Sequence, residues 1–383
     1  MNEGKKYRLL VFHQALAPYR MDFWNHLSRD FDADIYFIYE NLIEQKFNQD
    51  KLREHLGFEP RYLKHGFRIG DRAFKWGFLP IIRKTNPEVV FTYEYSQTTL
   101  FLYLIRKFFG FNYRIYSVCD DSMHLAKSRK GLRESVRKFL ITRIDGLIVL
   151  NQEVANWYKA SYKLKNDPVF FPIVAEDHRF RAALTESVPV SQAYIEQHQL
   201  QNRKVLLFVG RLVGIKGLDR VIQAFALIAQ KHPDASLIII GDGPESSRLQ
   251  ELTASISLQD QVLFPGRFEG IPLLAWYNVG QIFVLGSHSE AFGAVINESM
   301  LAGEYVLCSR YAGATELVRE NLNGNIFDPF DIQQLSEQMH QRLAKVSPIA
   351  SIGHIRPSGM PVTFLEYYGN FRDHLISQIR MTT

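Results

Sequence analysis

Residues 204–230 read KVLLFVGRLVGIKGLDRVIQAFALIAQ, and three elements follow one another in that stretch. Lys204–Gly210 reads as a strand whose apolar run, Val205–Val209, is of the kind buried on both faces of a parallel sheet. Gly210–Gly217 is a glycine-bounded turn, and Leu218–Gln230 has the composition and length of a helix. Strand, glycine-rich turn and helix together open a βαβ unit. A helix that begins at such a turn offers free backbone N–H groups and a positive dipole end to an anion. Arg211 and Lys216 add two cations to the same loop. A diphosphate needs such equipment, because its charge grows as a bond to it breaks. The Gly-Lys-Ser/Thr ending of a Walker loop is absent. Read alone, the loop is either an anion site or an ordinary strand-to-helix turn with two surface cations.

Outward from this unit the chain alternates short β-rich runs with longer amphipathic stretches, the pattern of parallel α/β sheets. Before it, strands are expected at Tyr7–His13, Ala33–Tyr39, Val89–Tyr93, Tyr113–Val118 and Leu147–Leu150, with helices at Tyr19–Arg29, Thr98–Phe109 and Leu132–Ile144. After it, strands are expected at Ser236–Gly241, Val262–Pro265, Ile282–Leu285, Tyr305–Ser309 and Asn325–Phe327. Helices fit Glu245–Ser255, Ala294–Ala302, Ala314–Glu320 and Ile332–Leu343. The 383 residues suit two domains. The reading is α/β: two Rossmann-like doubly wound domains, 1–175 and 204–363, facing across a cleft. A linker at 176–203 has no sustained period and contains Pro189. Ligands of open parallel sheets sit beyond the carboxyl ends of the strands, which is where that cleft would be.

Composition narrows the class. Apolar residues make up 46% and charged residues 22%, a globular balance. The longest apolar runs, such as Val205–Val209 and Leu237–Gly241, fall far short of a membrane span. Lys5 and Lys6 are followed by the strand-like Leu9–Phe12, not by a signal-peptide core. Cys119 and Cys308 stand far apart, each in an apolar run, which argues for buried thiols and a reducing cytoplasm. Residues 1–170 hold 28 basic against 19 acidic side chains, and 171–383 hold 17 against 21. The basic excess is densest in Lys127–Arg143. Its partner is an acidic membrane surface or a phosphate-bearing acceptor, unless the stretch is a solvated helix face. Nucleic acid fits poorly, because 120–145 lacks the aromatic interleaving of a single-strand platform.

A second loop carries chemistry. Ser289-Glu290-Ala291-Phe292-Gly293-Ala294-Val295-Ile296-Asn297-Glu298 follows the strand Ile282–Leu285. Glu290 lies in the loop, and Glu298 lies inside the next helix, on the face of Ala294. A carboxylate is an acceptor that can take two donors, which suits vicinal hydroxyls. Taken singly, each Glu also reads as an ordinary helix-end or surface residue. Gly241-Asp242-Gly243-Pro244-Glu245 ends a buried strand in a tight turn, with Pro opening a helix. It reads as a wall rather than as a reactive group.

In their order along Val205–Leu335, these motifs resemble family 4 of the retaining glycosyltransferases, the glycosyl transferases group 1, which have the two-Rossmann-domain GT-B fold. The resemblance rests on the GRL…KG loop, Gly241-Asp242-Gly243-Pro244 and Phe264-Pro265-Gly266. The Glu290/Glu298 pair with Phe292-Gly293 follows, then Ala302-Gly303, Gly313 with Glu316, and Asn323-Gly324. It implies that Arg211 and Lys216 hold the diphosphate of a nucleotide-sugar donor, that of a UDP- or GDP-sugar. Glu298 would take the ribose and Glu290 the sugar hydroxyls, with Phe292, Gly293 and Ala294 beside the sugar and phosphates. It further implies retention at the anomeric carbon, no metal and no cofactor. The acceptor would be a saccharide or lipid-linked molecule, the place the cytoplasmic face of a membrane, and the product a surface polysaccharide or glycolipid. The C-terminal helix, within 364–383, would pack back on the first domain.

The chain departs from the family pattern at three places. Gly286 precedes Ser287 where proline is common. Glu304 and Tyr305 stand where a small apolar residue and proline are usual. The loop after the first strand, His13-Gln14-Ala15-Leu16-Ala17-Pro18-Tyr19-Arg20, lacks the Gly-Gly pair that contacts phosphate in many members. Arg20 is its candidate substitute. The family's first-domain histidine near the donor sugar has two candidates, His124 and His13. His124 follows Asp120 and Asp121, whose carboxylates would favour its protonated form; the same residues also read as a helix cap with a bystander histidine. His288 reads as a pocket wall. The site set is then Glu290, Arg211, Lys216 and His124 for the chemistry, with His13, Arg20, Asp120 and Asp121 as first-domain contacts. Two rivals remain on the same two-domain plan: a nucleotide-sugar epimerase, and a catalytically silent nucleotide-sugar binding protein.

Overall fold

The computed structural model describes residues 6–41, 47–69 and 72–381; Lys5 and the last two residues of 364–383 lie outside them. The chain divides into two compact units. The first comprises Met1–Asp121, Ala126–Pro172 and Tyr367–Thr383, and the second comprises Ser122–Leu125 and Ile173–Glu366.

In the first unit the strands are β1 (Arg8–His13), β2 (Asp32–Phe37), β3 (Arg61–Tyr62), the pair β4 (Gly66–Ile69) and β5 (Arg72–Lys75), β6 (Val89–Tyr93), β7 (Arg114–Cys119), β8 (Gly146–Val149) and β9 (Val169–Phe170). All but the antiparallel β4–β5 pair form one sheet, ordered β3-β2-β1-β6-β7-β8-β9. Its junctions are all parallel. Leu9, Leu10, Val11 and Phe12 are all buried, as a central parallel strand requires when its crossovers are helical. From Tyr367 onward, the helix Phe364–Met381 packs on this unit. The Phe371 ring centroid lies 5.2 Å from that of Phe23 and 5.4 Å from that of Phe171, and Arg114 Nη1 donates to the Gln378 carbonyl at 2.9 Å.

In the second unit the strands are β10 (Lys204–Val209), β11 (Ala235–Ile240), β12 (Val262–Gly266), β13 (Ile282–Leu285), β14 (Tyr305–Ser309) and β15 (Gly324–Phe327). They are ordered β12-β11-β10-β13-β14-β15 and parallel throughout, which is the doubly wound order of nucleotide-binding sheets. The order reverses between β10 and β13, where Leu206 pairs with Ile282 and Leu207 with Phe283. The loops that leave these two strands therefore emerge side by side.

Three expectations need correction. The supposed linker 176–203 carries two helices, Asp177–Glu186 and Val188–Gln197, and belongs to the second unit. Pro189 sits in the first turn of the second helix, where its missing N–H has no partner to lose, so it starts that helix rather than breaking one. Tyr194 stacks on Trp276 with ring centroids 4.5 Å apart. The segment expected as a helix at Ala314–Glu320 is a 3-10 turn, Gly313–Leu317. Finally, Ile271–Val279 is a helix that the sequence reading missed. Its Ala275, Trp276, Tyr277, Asn278 and Val279 are all buried, so it has no polar face to create a helical period.

Candidate active site

The loop after β10 and the loop after β13 meet. Gly217 has φ +64°, and a Cβ there would lie 2.4 Å from the Gly286 carbonyl oxygen and 2.7 Å from His288 Nε2. Only glycine fits both that backbone conformation and that approach. The His288 N–H donates to the Ile215 carbonyl at 2.8 Å, joining the loops a second time. Across this seam Lys216 Nζ donates to Glu290 Oε2, an ion pair with both side chains mostly buried. Ser287 Oγ donates to the same oxygen at 3.3 Å, and the Glu290 N–H donates to the Tyr311 carbonyl at 3.1 Å. A cation suited to phosphate and a carboxylate suited to hydroxyls thus stand in contact, although 74 residues separate them in sequence. Arg211 lies on the same loop as Lys216 and is exposed.

His288 lines the seam without being a proton donor to it. Arg220 Nη1 lies 2.7 Å from its Nε2, and burial first, then the Arg220 charge, lower its pKa. The ring is neutral, with Nε2 as acceptor. The Gly241–Glu245 turn packs on the Gly210–Gly217 loop through backbone bonds: Leu212 N–H donates to the Asp242 carbonyl at 2.9 Å and Glu245 N–H to the Leu212 carbonyl at 3.0 Å.

The helix Ala294–Leu301 begins at Gly293, whose φ of +93° is left-handed. Its first turn follows the same β13 loop that carries Glu290, and the Ile296 N–H donates to the Gly293 carbonyl at 2.9 Å. Phe292 is buried, with its carbonyl accepting from the Ala314 N–H at 2.8 Å, and Ala294 is half-buried. Glu298 lies within this helix and accepts from the Tyr277 hydroxyl at 2.6 Å through Oε2. Burial raises its pKa, partly offset by the Tyr277 hydrogen bond. Tyr277 itself was not legible in the sequence, because it lies in the apolar helix that had no period.

In the first unit, His13, Arg20 and Asp120 line one small cavity with Gln14, Tyr19 and Asn41 among its other walls. Arg20 is 3% exposed and pairs with Asp120, so the expected substitute for the glycine pair is a buried ion pair rather than a free cation. His13 is buried against Trp24, at a ring distance of 5.1 Å. Burial, and then the Arg20 charge, lower its pKa to about 4, against a smaller opposing pull from Asp120. Asp121 does not join this cavity: Arg129 Nη2 donates to it at 2.8 Å and the Tyr158 hydroxyl at 2.6 Å. The two carboxylates next to His124 in sequence are thus engaged by Arg20, Arg129 and Tyr158, while His124 is exposed on the short helix Met123–Ser128. Cys119 and Cys308 are buried free thiols, each with its pKa raised chiefly by burial.

Comparison with known proteins follows the same division. The family model of the glycosyl transferases group 1 matches residues 190–346, within the second unit. The alpha-monoglucosyldiacylglycerol synthase of Streptococcus pneumoniae is 22% identical over 271 residues, 68% of this chain and 61% of that protein. The D-inositol 3-phosphate glycosyltransferase of Acidothermus cellulolyticus is 35% identical over 137 residues, 33% of this chain and 30% of that protein. The chain spans between 21% and 61% of the length of the first curated relatives it matches. Among solved structures, HepE of Anabaena in complex with UDP has a TM-score of 0.67 at 16% identity, covering 98% of both chains. A glycosyltransferase from Rickettsia africae has a TM-score of 0.69 at 15% identity, covering 99% of this chain and 97% of that one. At such identities the likeness is one of fold, the GT-B class of paired α/β units. The β10–Gly217 loop, the Glu290/Glu298 pair and the doubly wound sheet all lie inside the stretch 190–346 that matches the family model of the glycosyl transferases group 1.

Proposed function

We propose that this chain is a family-4 retaining glycosyltransferase. It would move a sugar from a nucleoside diphosphate donor, a UDP- or GDP-sugar, to a saccharide or lipid-linked acceptor in surface polysaccharide or glycolipid synthesis. It would work in the cytoplasm, peripherally at the inner face of the membrane, and without metal or cofactor. The observation that carries the reading is the contact of Lys216 with Glu290 across the switch point of the second sheet. The solved HepE complexes with UDP and with UDP-glucose, and the lipid acceptor in the name of the Streptococcus pneumoniae relative, support the choice of donor and acceptor.

In this mechanism the bond from the anomeric carbon to the diphosphate oxygen breaks. The acceptor hydroxyl oxygen attacks the same face of that carbon, and its proton passes to the departing phosphate oxygen. Lys216, Arg211 and the N–H groups at Gly293–Ala294 stabilise the charge that grows on the phosphate. Glu290 orients the sugar through its hydroxyls, and Glu298 accepts from the ribose. His124, which belongs to the second unit, or His13, which belongs to the first, is the histidine donor to the sugar.

The test is a titration of UDP, GDP, ADP and NAD in the presence of a chelator, followed by turnover with the sugar of the nucleotide that binds. Lys216→Ala and Glu290→Gln should each lower turnover by about a hundredfold or more, and the product should keep the donor's anomeric configuration by NMR. Binding of NAD alone, or full turnover in both variants, would reject the assignment. Conversion of the donor sugar without any acceptor would mean an epimerase.

A further inference from the structure

The helix Gln97–Phe109 has an apolar side besides the one it buries. Thr98, Thr99 and Leu102 face inward and are buried. Phe101, Leu104, Ile105 and Phe108 recur at i, i+3, i+4 and i+7 and form a second stripe, exposed at Phe101 and Phe108 and half-buried at Leu104 and Ile105. Phe108 is 75% exposed and its neighbour Phe109 54%. A helix at the surface of a soluble domain is normally polar on that side.

The stripe continues onto the flanking helices. On Phe78–Thr85, the buried Phe78 ring backs that of Phe101 at 6.3 Å, and the exposed Arg83 guanidinium stands 5.7 Å from the Phe109 ring. On Leu132–Ile141, the exposed Phe139 ring lies 5.9 Å from Tyr103 and carries the Arg143 guanidinium at 4.1 Å. No Asp or Glu occurs between Glu94 and Asp120, nor in Phe78–Thr85, whereas Lys84 and Lys107 are exposed beside the rings. The basic stretch Lys127–Arg143 contributes less than its composition suggests. Arg137 is 2% exposed and donates to the Ala126 carbonyl, and Arg129 is held by Glu94 and Asp121.

We infer that this face of the first unit, centred on Phe108 and Phe109, is a docking surface for an anionic lipid bilayer. Protruding rings enter the boundary between headgroups and acyl chains, while arginine and lysine heads beside them reach lipid phosphates. The charge decides the occupant: a patch with cations and no carboxylates on its central helix complements an anionic surface, and repels a second copy of itself. Among the described residues no helix is long and apolar enough to cross a membrane, so the contact is one of lying on the surface. The inference deepens the peripheral-membrane part of the proposed function and does not depend on the donor site.

The full chain is sedimented with phosphatidylcholine vesicles, with and without about 30% phosphatidylglycerol, at low and moderate salt. Binding should require the anionic lipid and weaken with salt. Phe108→Ser/Phe109→Ser should bind the anionic vesicles at least about tenfold more weakly. Lys84→Gln/Lys107→Gln, which leaves the rings in place, should weaken binding several-fold and flatten its salt dependence. The thermal midpoint reports whether each variant is folded, so failure of the donor reading leaves this test intact. Wild-type affinity in the folded phenylalanine variant would overturn the inference, as would equal binding to neutral vesicles. A wild-type dimer that ignores vesicles and becomes monomeric on losing the two rings would assign the face to a second copy instead.

Discussion

Lys216 and Glu290 neutralise one another across the seam of two loops. In the proposed mechanism a donor must separate or bridge them, so removing either leaves the other charge mostly buried and unpaired. Glu298 has a different constraint. Because the Tyr277 hydroxyl occupies Oε2, the proposed function leaves Oε1 as the oxygen that would accept from the ribose. Tyr277→Phe should therefore weaken binding of the cognate nucleoside diphosphate by about tenfold, the usual worth of a hydrogen bond to a charged group, and leave its 2′,3′-dideoxy analogue unaffected. Glu298→Gln measured the same way separates the two ideas: if it too treats both nucleotides alike, the ribose assignment itself fails. The raised pKa of Glu298 adds a pH dependence. Nucleotide affinity should drop on acidification from above the ordinary carboxylate value, since only the ionised form accepts from both hydroxyls. His13 gives a stability effect of its own. Its pKa is about 4 in the fold against 6.5 ordinarily, so the unfolded chain binds the proton more tightly between those values. Stability should be full above about pH 6.5 and decline by up to about 3 kcal/mol as pH falls toward 4. Urea midpoints at pH 7 and 4.5 should converge in His13→Asn.

Among the elements, the C-terminal helix and the Gly217 turn are the most exposed to single changes. Phe371 is buried between Phe23 and Phe171, so Phe371→Ala should lower stability by about 3–5 kcal/mol through lost burial and the cavity left behind, measured by urea unfolding. Gly217→Ala should disrupt the turn by another route, because the new methyl would meet the Gly286 carbonyl. Strands such as β13 and β14 were legible to the residue because each is a short apolar run bounded by polar residues or glycine. The two-residue strands β3 and β9 were not, because two residues carry no period.

For the whole molecule, the family match and the site geometry both lie in the second unit, whereas the outward phenylalanine face lies in the first. Hydrogen exchange with a saturating nucleoside diphosphate should then protect the loops 210–217, 241–245 and 286–293. Vesicles of anionic lipid should protect 97–109 instead. Protection of both regions by the nucleotide alone would contradict this division of labour.

The alternation of strand and helix, the glycine-bounded loop at 210–217 and the Glu290/Glu298 spacing were determined by the sequence alone, since each depends on neighbours within about ten residues. Contacts between distant segments were decided only by the tertiary structure: Lys216 with Glu290, Tyr277 with Glu298, Arg20 with Asp120. The same holds for the direction of the Gln97–Phe109 helix. Apart from Gln97, Arg106 and Lys107 its residues are apolar, aromatic or threonine, and such a helix can be wholly buried or turned half outward. Which of these occurs depends on what the rest of the chain places against it, and here that side of Phe108 stands open to solvent.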